Sequence, residues 1–520
     1  MDVSEILGAA HRAFINDYLD EALVLLTAVE SLPSPRMWML RADLHRERCE
    51  PELARAALRR AVALGAGDAA RLRSALMWSP IMGDSASLDA EWRRVTEDFS
   101  ALERSPLILA DPVVDLPWMD FYLAYRGGAD RALREQLGRI LARAHPSLGF
   151  VAPHVESGVP ADVPIRIGFC SSHLRDHTIG RLNEALIRGL SDYGFVVVLA
   201  VPEASSDGLY AELADAADEV LVLGRDLAVA QRRLSDAHLH VLHYPDLGMD
   251  PFTMWLAYSR FAAVQTMSWG HPITSGLPTI DAFFATETLV PPDQDHQFCE
   301  RVVRLPEPMV CWTPPPDPAP MGREALGLPE GRRIYLVPQT AFKLHPDFDS
   351  VLGQILDEDP DGVIALLAPS RRGWRSALET RMGRCVDLAR VVWVPRQPRH
   401  GFLALLREAD VVLDPFPFAG GHTSLEALAM GTPVVTCATQ QLRGRLTLLW
   451  YRTMGLRELA CDSVDTYVER AVRWAHDGAV VRRRIASATP LLFGRADAVA
   501  GHAAAFHSLL AQAERSACAA

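Results

Sequence analysis

Hydrophobic positions follow two different spacings along this chain, and each spacing predicts a different kind of structure. Over residues 1–145 the apolar residues lie three and four positions apart, as on one face of a helix. From Ile165 onward, short apolar runs alternate with longer segments of helical spacing. We therefore expect a helical region followed by an α/β region with parallel sheets.

The helical part contains a weak internal repeat. One set of small and large apolar residues returns with the same internal spacing: Ala22, Leu26 and Val29, then Ala54, Leu58 and Ala61. This spacing is typical of the second helix of a tetratricopeptide repeat, and Trp38 falls near the start of the preceding helix. An irregular helical bundle is the alternative. Stacked helical pairs would form a groove suited to an extended peptide or a partner helix.

Apolar runs of strand length define the α/β part. Strands are predicted at 165–170, 195–201, 239–242, 263–267, 334–337, 363–368, 391–394, 411–413 and 434–437. A proline-dense stretch at 305–320 is predicted to be a connector, because proline disrupts helix interiors and central strands. The simplest architecture is two Rossmann-like halves with ligands in the cleft beyond the strand ends. The predicted domains are residues 1–145, 146–310 and 311–520.

Composition and charge narrow the function classes. The 520 residues include 52 Lys and Arg against 65 Asp and Glu, and the net charge of −13 argues against a nucleic-acid-binding surface. No apolar run reaches the length of a membrane span, and the first residues lack a basic-then-apolar signal segment. The eight cysteines stand singly, as expected for the reduced thiols of a cytoplasmic protein.

Lysine is almost absent from the sequence. Of the 52 basic residues, Lys343 is the single lysine and the others are arginine. An arginine-biased chain is expected to keep a lysine where a compact ammonium group must fit against a ligand. Lys343 also follows the predicted strand 334–337, where the cleft should open, so we expect it to stabilise charge on a leaving phosphate. Chance survival of one lysine is the alternative.

A glycine-containing loop is the second candidate site. The segment 414–428 runs from a strand end through prolines and two glycines into a predicted helix. Glycines allow close backbone approach, and the free amides at the positive end of a helix can hold a phosphate or pyrophosphate. His422 could add a donor, and Glu426 could bind sugar hydroxyls. An ordinary capped helix with Glu426 complementing its dipole is the alternative.

Two more loops follow strands in the first α/β half. The segment 171–178 contains His173 and His177, which near neutral pH can exchange protons or donate hydrogen bonds, unless one of them caps the next helix. The segment 269–276 is a small-residue loop that would form a substrate wall or else a plain turn. No metal-ligand spacing and no GxxxxGK[ST] motif occurs, so neither a metal nor a P-loop site is predicted.

Together these segments resemble the O-linked N-acetylglucosamine transferases and their bacterial relatives, in which tetratricopeptide repeats precede a GT-B catalytic core. The similarity covers roughly residues 115–515. It is carried by four motifs in order: Ser171-Ser172 with His177, Gly270 to Gly276, Gln339 to Lys343, and Gly421-His422-Thr423-Ser424. The implied fold is a GT-B fold, two Rossmann-like domains facing a cleft, preceded by an all-α tetratricopeptide-like region.

The resemblance also implies a role for each matching residue. His177 would lie on the acceptor side as the candidate base, and Lys343 would stabilise the leaving nucleoside diphosphate. The donor nucleotide-sugar would be bound by Gln339, Thr340, Gln397, Arg399, Phe402, Gly421, His422, Thr423, Ser424 and Glu426. The substrate wall would consist of Gly270, His271, Pro272, Thr274 and Ser275.

The implied function is that of an inverting, metal-independent glycosyltransferase that moves a sugar onto Ser or Thr of a protein. The first candidate donor is UDP-N-acetylglucosamine, and the helical repeats and the cleft would hold the acceptor protein. Alternative donors are UDP-glucose, GDP-fucose and a CMP-linked nonulosonic acid, the last transferred to flagellin. A non-catalytic binding protein built on the helical repeats is the alternative from a different class.

Overall fold

A computed structural model describes residues 3–30, 32–157 and 164–519 of the chain. A helical region comes first and two parallel sheets with flanking helices follow, as the hydrophobic pattern predicts. None of the helices in these ranges is both long and apolar enough to cross a lipid bilayer.

The helical region is built from consecutive helix pairs. Its α-helices are α1 Val3–Ile15, α2 Leu19–Thr27, α3 Pro35–Glu47, α4 Pro51–Ala63, α5 Gly67–Ala75, α6 Ser85–Arg104, α7 Pro112–Asp115, α8 Arg131–Ala142 and α9 Pro153–Ser157. The repeated apolar residues of α2 and α4 are buried, so the repeat marks the packed faces of equivalent helices. Ser34 caps α3 by accepting the amide of Met37 at 3.3 Å, and Pro35 occupies the first helical position.

The first sheet has seven parallel strands in the order β3-β2-β1-β4-β5-β6-β7. The strands are β1 Ile165–Cys170, β2 Phe195–Val201, β3 Glu219–Val222, β4 Val241–Tyr244, β5 Val264–Ser268, β6 Ala282–Ala285 and β7 Arg301–Arg304. The flanking helices are α10 Thr178–Gly189, α11 Gly208–Ala216, α12 Leu227–Asp236 and α13 Pro251–Ala257. The apolar runs predict the central strands, but they miss the half-exposed edge strands β3 and β7 and the short β6.

The second sheet has five parallel strands in the order β10-β9-β8-β11-β12. The strands are β8 Arg333–Val337, β9 Gly362–Leu367, β10 Val391–Val394, β11 Val411–Leu413 and β12 Val434–Val435. The helices that follow them are α14 Pro346–Glu358, α15 Arg372–Met382, α16 Arg399–Glu408, α17 His422–Ala429, α18 Leu446–Thr453, α19 Val464–His476, α20 Ala479–Ala488 and α21 Ala496–Ala519. Each of these strands coincides with a predicted apolar run.

The last helix returns to the first sheet. Phe506 of α21 packs its ring against Phe195 of β2 and Phe284 of β6, at centroid distances of 6.1 and 5.2 Å. The stretch 305–320 between the sheets is an irregular connector, as its prolines predict. The division of the chain at residues 145 and 310 stays a prediction.

One buried ion pair and a second buried arginine join the helical region to the half that contains the second sheet. Arg443 donates from Nη1 to Asp130 Oδ2 at 2.5 Å and from Nη2 to the carbonyl oxygen of Gly128 at 2.9 Å. Both charged side chains of this pair are less than a tenth exposed. Arg381 of α15 pairs with Asp349 and donates to the carbonyl oxygen of Met82. These contacts hold the helical region in one position against the half that contains the second sheet.

Replacing Asp130 with Ala should destabilise the whole chain, because it leaves the buried guanidinium of Arg443 without its carboxylate. Removing one partner of a buried pair costs about 3–5 kcal/mol, so we expect a clearly lower midpoint of urea-induced unfolding. The matched control is Glu469→Ala, which removes an exposed pair with Arg473 and should leave the midpoint where it is. An Asp130→Ala variant as stable as the wild type would contradict this account of the interface.

Candidate active site

Strand order reverses once in each sheet, and these two reversals place the candidate site. In the first sheet β1 lies between β2 and β4, and in the second sheet β8 lies between β9 and β11. A crevice opens beyond the carboxyl ends of the strands at such a reversal, because the connections on its two sides run to opposite faces. The residues after these four strands are the His173–His177 loop, Asp246, Lys343 and the glycine loop 414–421.

Asp414 organises the glycine loop from the end of β11. It is 1% exposed, and its Oδ1 accepts a hydrogen bond from the amide of Gly420. Its Oδ2 accepts from the hydroxyls of Thr436 and Thr447 at 2.9 and 2.6 Å. Burial raises the pKa of Asp414 to about 6, although these hydrogen bonds and Lys343 oppose the shift. The carboxylate thus ties the turn of the loop to the sheet.

The loop leaves no room for a side chain at Gly420. A Cβ atom there would lie 2.2 Å from Oγ of Ser424 and 2.6 Å from Nε2 of Gln339. Gln339, which follows β8, also donates from Nε2 to Oγ1 of Thr423 at 2.6 Å. The absence of a Cβ at this position therefore lets two of the predicted donor-binding residues meet.

Helix α17 begins at His422 and offers its N-terminus to the crevice. Its N-cap residue is Gly421, which has no side chain to accept a hydrogen bond from the first turn. The first amides of an α-helix have no acceptor within the helix, and they carry partial positive charge. An anion at this end would meet those amides directly.

Glu426, one turn further along α17, contacts both Arg399 and His422. Its Oε1 accepts from Nη1 of Arg399 at 2.6 Å, and its Oε2 lies 3.3 Å from Nδ1 of His422. Burial would raise the pKa of Glu426, but His422 and Arg399 outweigh it and hold that pKa below its usual range. The Nε2 atom of His422 is buried without a hydrogen-bond partner, so it is left for a ligand. The structure thus joins three residues that sequence reasoning named separately.

Lys343 lies at the end of a short 3-10 helix, Ala341–Lys343, directly after β8. Its Nζ is 4.4 Å from the ring centroid of Phe418, which belongs to the glycine loop. Burial lowers the pKa of Lys343 to about 8, and the charge of Asp414 opposes this shift. The lone lysine and the glycine loop therefore share one crevice.

His177 is the N-cap residue of α10. This is the structural role that the sequence offered as the alternative to a catalytic role. Its Nδ1 accepts the amide of Ile179 at 3.2 Å, so in the neutral ring the proton resides on Nε2. Burial, followed by the neighbouring His173 and two arginines, lowers the pKa of His177 to about 4. His177 is therefore a neutral hydrogen-bond donor in this geometry, and its role as the base stays a prediction.

Sequence reasoning missed Asp246, which follows β4 and is 2% exposed. Its Oδ2 lies 2.8 Å from Nδ1 of His173, and the His173 ring is 4.5 Å from that of His177. The sequence did contain a feature that could have identified Asp246 as a site residue. Asp246 follows a predicted strand, so it had to emerge at the same sheet edge as the two histidines.

The loop at 269–276 turns its polar side chains inward. Thr274 and Ser275 donate hydrogen bonds to the carboxylate of Glu300, and they are 1% exposed. Gly270 is packed so closely that a Cβ atom would lie 2.4 Å from the carbonyl oxygen of Pro245. Burial lowers the pKa of His271 to about 3, so this ring is neutral. The loop is thus a firmly held wall, and direct substrate contact by these side chains and Pro272 stays a prediction.

The two halves approach each other at this crevice. The rings of Trp269 and Trp450 are 6.2 Å apart, and a Cβ atom at Gly421 would lie 3.6 Å from the Trp269 ring. Burial and then Arg399 lower the pKa of Arg181 on α10, which shows that charged groups of the two halves face each other.

The helical region forms a further wall that sequence reasoning did not anticipate. The 3-10 helix Phe121–Tyr125 stacks the Phe121 ring on His271 and the Tyr125 ring on Phe418, at 5.4 and 4.5 Å. Tyr125 also meets Phe342 edge-on at 4.8 Å. Aromatic side chains therefore link the helical region to both α/β halves.

The remaining predicted donor-binding residues lie around the same loops. Thr340 is exposed beside Lys343, Gln397 and Phe402 are half-buried near the start of α16, and Ser424 is buried under the glycine loop. Their contacts with a donor stay predictions. Within the described ranges no group of three or more His, Cys, Asp or Glu residues is arranged to hold a metal ion.

Comparison with known proteins finds relatives in sequence and in fold. Residues 315–489 match the family described as Glycosyl transferase family 41. A probable UDP-N-acetylglucosamine--peptide N-acetylglucosaminyltransferase SPINDLY from Petunia hybrida is 32% identical over 227 residues, 42% of this chain and 24% of that protein. A UDP-glucose:protein N-beta-glucosyltransferase from Actinobacillus pleuropneumoniae is 26% identical over 240 residues, 46% of this chain and 38% of that protein.

The match to a solved structure extends over the whole chain. A mutant of Thermobaculum terrenum O-GlcNAc transferase superimposes with a TM-score of 0.72 at 23% identity, covering 99% of this chain and 98% of that one. This likeness shows the fold, whereas the sequence matches span only a quarter to two fifths of the curated relatives. Residues 315–489 therefore match glycosyl transferase family 41, and the chain that contains them has the GT-B fold behind an N-terminal helical region.

Proposed function

We propose that this chain is an inverting protein glycosyltransferase that moves N-acetylglucosamine from UDP-N-acetylglucosamine to a Ser or Thr hydroxyl. One observation carries the proposal. The single lysine and the uncapped N-terminus of α17 lie in the same crevice, at the strand reversal of the second sheet. Two sources of positive charge at this position suit the diphosphate of a nucleotide sugar.

In the proposed reaction negative charge develops on the leaving diphosphate, and residues of the crevice are placed to stabilise it. As the hydroxyl attacks the anomeric carbon from the face opposite the phosphate, the sugar–phosphate bond breaks and the diphosphate leaves with the electron pair. Lys343 and the amides of α17 stabilise the negative charge that develops on the leaving group, so the proposed step needs no metal ion. Holding donor and acceptor in line supplies a further part of the rate enhancement.

We propose that an acceptor segment enters by a groove between the helical region and the second sheet. This cavity of about 1330 Å³ is lined by the turns after α1 and α3 and by α15. Its lining is polar and of mixed charge, with Arg48, Glu91 and Arg384 among its residues. Such a surface suits an extended peptide of the kind that helical repeats bind.

A second donor, UDP-glucose, is favoured by one comparison. The relative from Actinobacillus pleuropneumoniae is named as a UDP-glucose:protein N-beta-glucosyltransferase. Lys343, the amides of α17 and His422 would contact the diphosphate of UDP-glucose and of UDP-N-acetylglucosamine in the same way. The shape of the crevice around the sugar would therefore determine which of the two donors is used.

Calorimetric titration of the purified chain with UDP tests the donor class. We expect UDP to bind with micromolar affinity, because Lys343, the α17 amides and Nε2 of His422 converge on its diphosphate. GDP, which carries the same diphosphate on another base, and CMP, which has a single phosphate, are titrated in the same buffer, and with a UDP-sugar as donor each should bind more weakly than UDP. Tighter binding of GDP or CMP would overturn the donor, and no binding of any of them would favour a non-catalytic protein.

Replacing Lys343 with Met should lower turnover by about 100- to 1000-fold, because one preorganised charge at the leaving group is removed. Turnover is measured with UDP-N-acetylglucosamine on an array of Ser- and Thr-containing peptides. Lys343→Arg should not restore it, because a planar guanidinium does not fit the space of an ammonium against Phe418. Arg473→Met, which removes an exposed cation, is the control. Wild-type turnover in Lys343→Met would contradict the proposed role.

UDP affinity should fall as the pH rises above 8. The pKa of Lys343 is lowered to about 8, so the ammonium form that attracts the diphosphate is lost above that pH. We expect the dissociation constant to rise by up to tenfold per pH unit between pH 8 and pH 10, measured by titration calorimetry. In Lys343→Met the same series should be flat, and an equally steep dependence in that variant would assign the effect to another group.

A further inference from the structure

His173 and Asp246 form a pair with the geometry of a proton-accepting histidine. Nδ1 of His173 lies 2.8 Å from Oδ2 of Asp246, whose side chain is 3% exposed. A carboxylate can only accept a hydrogen bond, so the proton of the neutral ring resides on Nδ1 and Nε2 presents a lone pair. Within the described residues, this Nε2 has no protein hydrogen-bond partner, and the ring is partly open to solvent.

The pair is held firmly at the strand reversal of the first sheet. Oγ of Ser171 accepts the amide of His173 at 2.9 Å and fixes the backbone from which the ring projects. Asp246 is packed against Gly270, where a Cβ atom would lie 2.8 Å from the Cβ of Asp246. Loops after three neighbouring strands, β1, β4 and β5, therefore set the position of one imidazole.

The neighbouring His177 has the opposite arrangement. Its Nδ1 is used by the backbone amide of Ile179, so its Nε2 carries the proton and can only donate. The two rings are 4.5 Å apart, so both are near the same substrate. Of the two histidines, His173 is the one whose exposed nitrogen can take a proton.

We propose that His173 accepts the proton of the attacking hydroxyl, and that Asp246 orients the ring and stabilises the imidazolium. This inference rests on the proposed function and adds a residue to it. The hydroxyl oxygen forms its bond to the anomeric carbon while its proton passes to Nε2 of His173. The diphosphate leaves with the electrons of the broken bond, and the imidazolium afterwards releases its proton to solvent.

The first test compares His173→Gln with the wild type on a Ser peptide that the wild type glycosylates, found on the peptide array with UDP-N-acetylglucosamine. General-base catalysis is worth about 100- to 10,000-fold, so kcat should fall by that factor. The KM for the donor and the calorimetric affinity for UDP should stay within about twofold, which also shows that the variant is folded. The matched control is His296→Gln, an exposed histidine whose loss should change neither.

A thiol acceptor separates proton removal from positioning. The same peptide with Cys in place of Ser has an ordinary thiol pKa near 8.5, so at pH 8.5 about half of it is already deprotonated. His173→Gln should therefore lose less than about tenfold on the Cys peptide while losing 100-fold or more on the Ser peptide. A purely structural role for His173 would lower both rates together, and that result would overturn the proposal.

Asp246 is proposed as a positioning residue, and Asp246→Asn tests it. An amide can donate to Nδ1 and drive the ring proton to Nε2, so we expect roughly a tenfold or larger loss of kcat on the Ser peptide. The rate of transfer to the Cys peptide should again fall much less than the rate on the Ser peptide, and the affinity for UDP should be unchanged. Asp246→Glu keeps a carboxylate and should recover part of the lost rate.

The outcomes separate this inference from the function on which it rests. A wild type that binds UDP and glycosylates peptides, together with a His173→Gln variant of equal kcat, overturns the pair and leaves the function standing. A wild type that transfers sugar to no peptide overturns the proposed function and the pair together. If His177→Asn loses transfer selectively on the Ser peptide and His173→Gln does not, the base is His177 and the proposal is wrong.

Discussion

The position of every candidate group follows from one constraint, the reversal of strand order within each parallel sheet. Parallel strands end at a common edge, and at the reversal the connecting segments diverge and leave a crevice. The first sheet places two histidines and Asp246 at its reversal, and the second places Lys343 and the glycine loop at its own. Because the two edges face each other, groups far apart in sequence lie at one crevice.

Electrostatics inside the crevice depends on burial. Asp414 is buried and accepts several hydrogen bonds from the glycine loop and its neighbours. Its carboxylate therefore holds the loop in place and also interacts with the charge of Lys343. Glu426 is likewise engaged by Arg399 and His422. The ammonium of Lys343 and the amides at the N-terminus of α17 are positioned to attract an anion. Both suit a diphosphate, and in a desolvated site their attraction is stronger than it would be in water.

The helical region forms part of the wall of the candidate site. Its aromatic 3-10 helix packs against His271 of the first half and Phe418 of the second, and the buried ion pair of Arg443 with Asp130 holds it there. Movement of the helical region would therefore disturb the glycine loop and the wall loop together. The helical region and the two α/β halves form one packed unit around the crevice.

The sequence by itself determined the helical region, the central strands, the lone lysine and the glycine loop, because each rests on local spacing or on a single unusual residue. It missed the strands β3, β6 and β7, of which β3 and β7 are half-exposed edge strands and β6 is a buried strand of four residues. Only the tertiary structure determined which hydrogen-bond partner each histidine of the site has. A capping contact fixes the proton of His177 and a carboxylate 73 positions away fixes that of His173, and neither can be read from spacing along the chain. The sequence shows which side chains can carry a proton, because that property belongs to the residue type. The order of the strands in the sheet determines which partner lies beside each side chain, and that partner determines which nitrogen carries the proton.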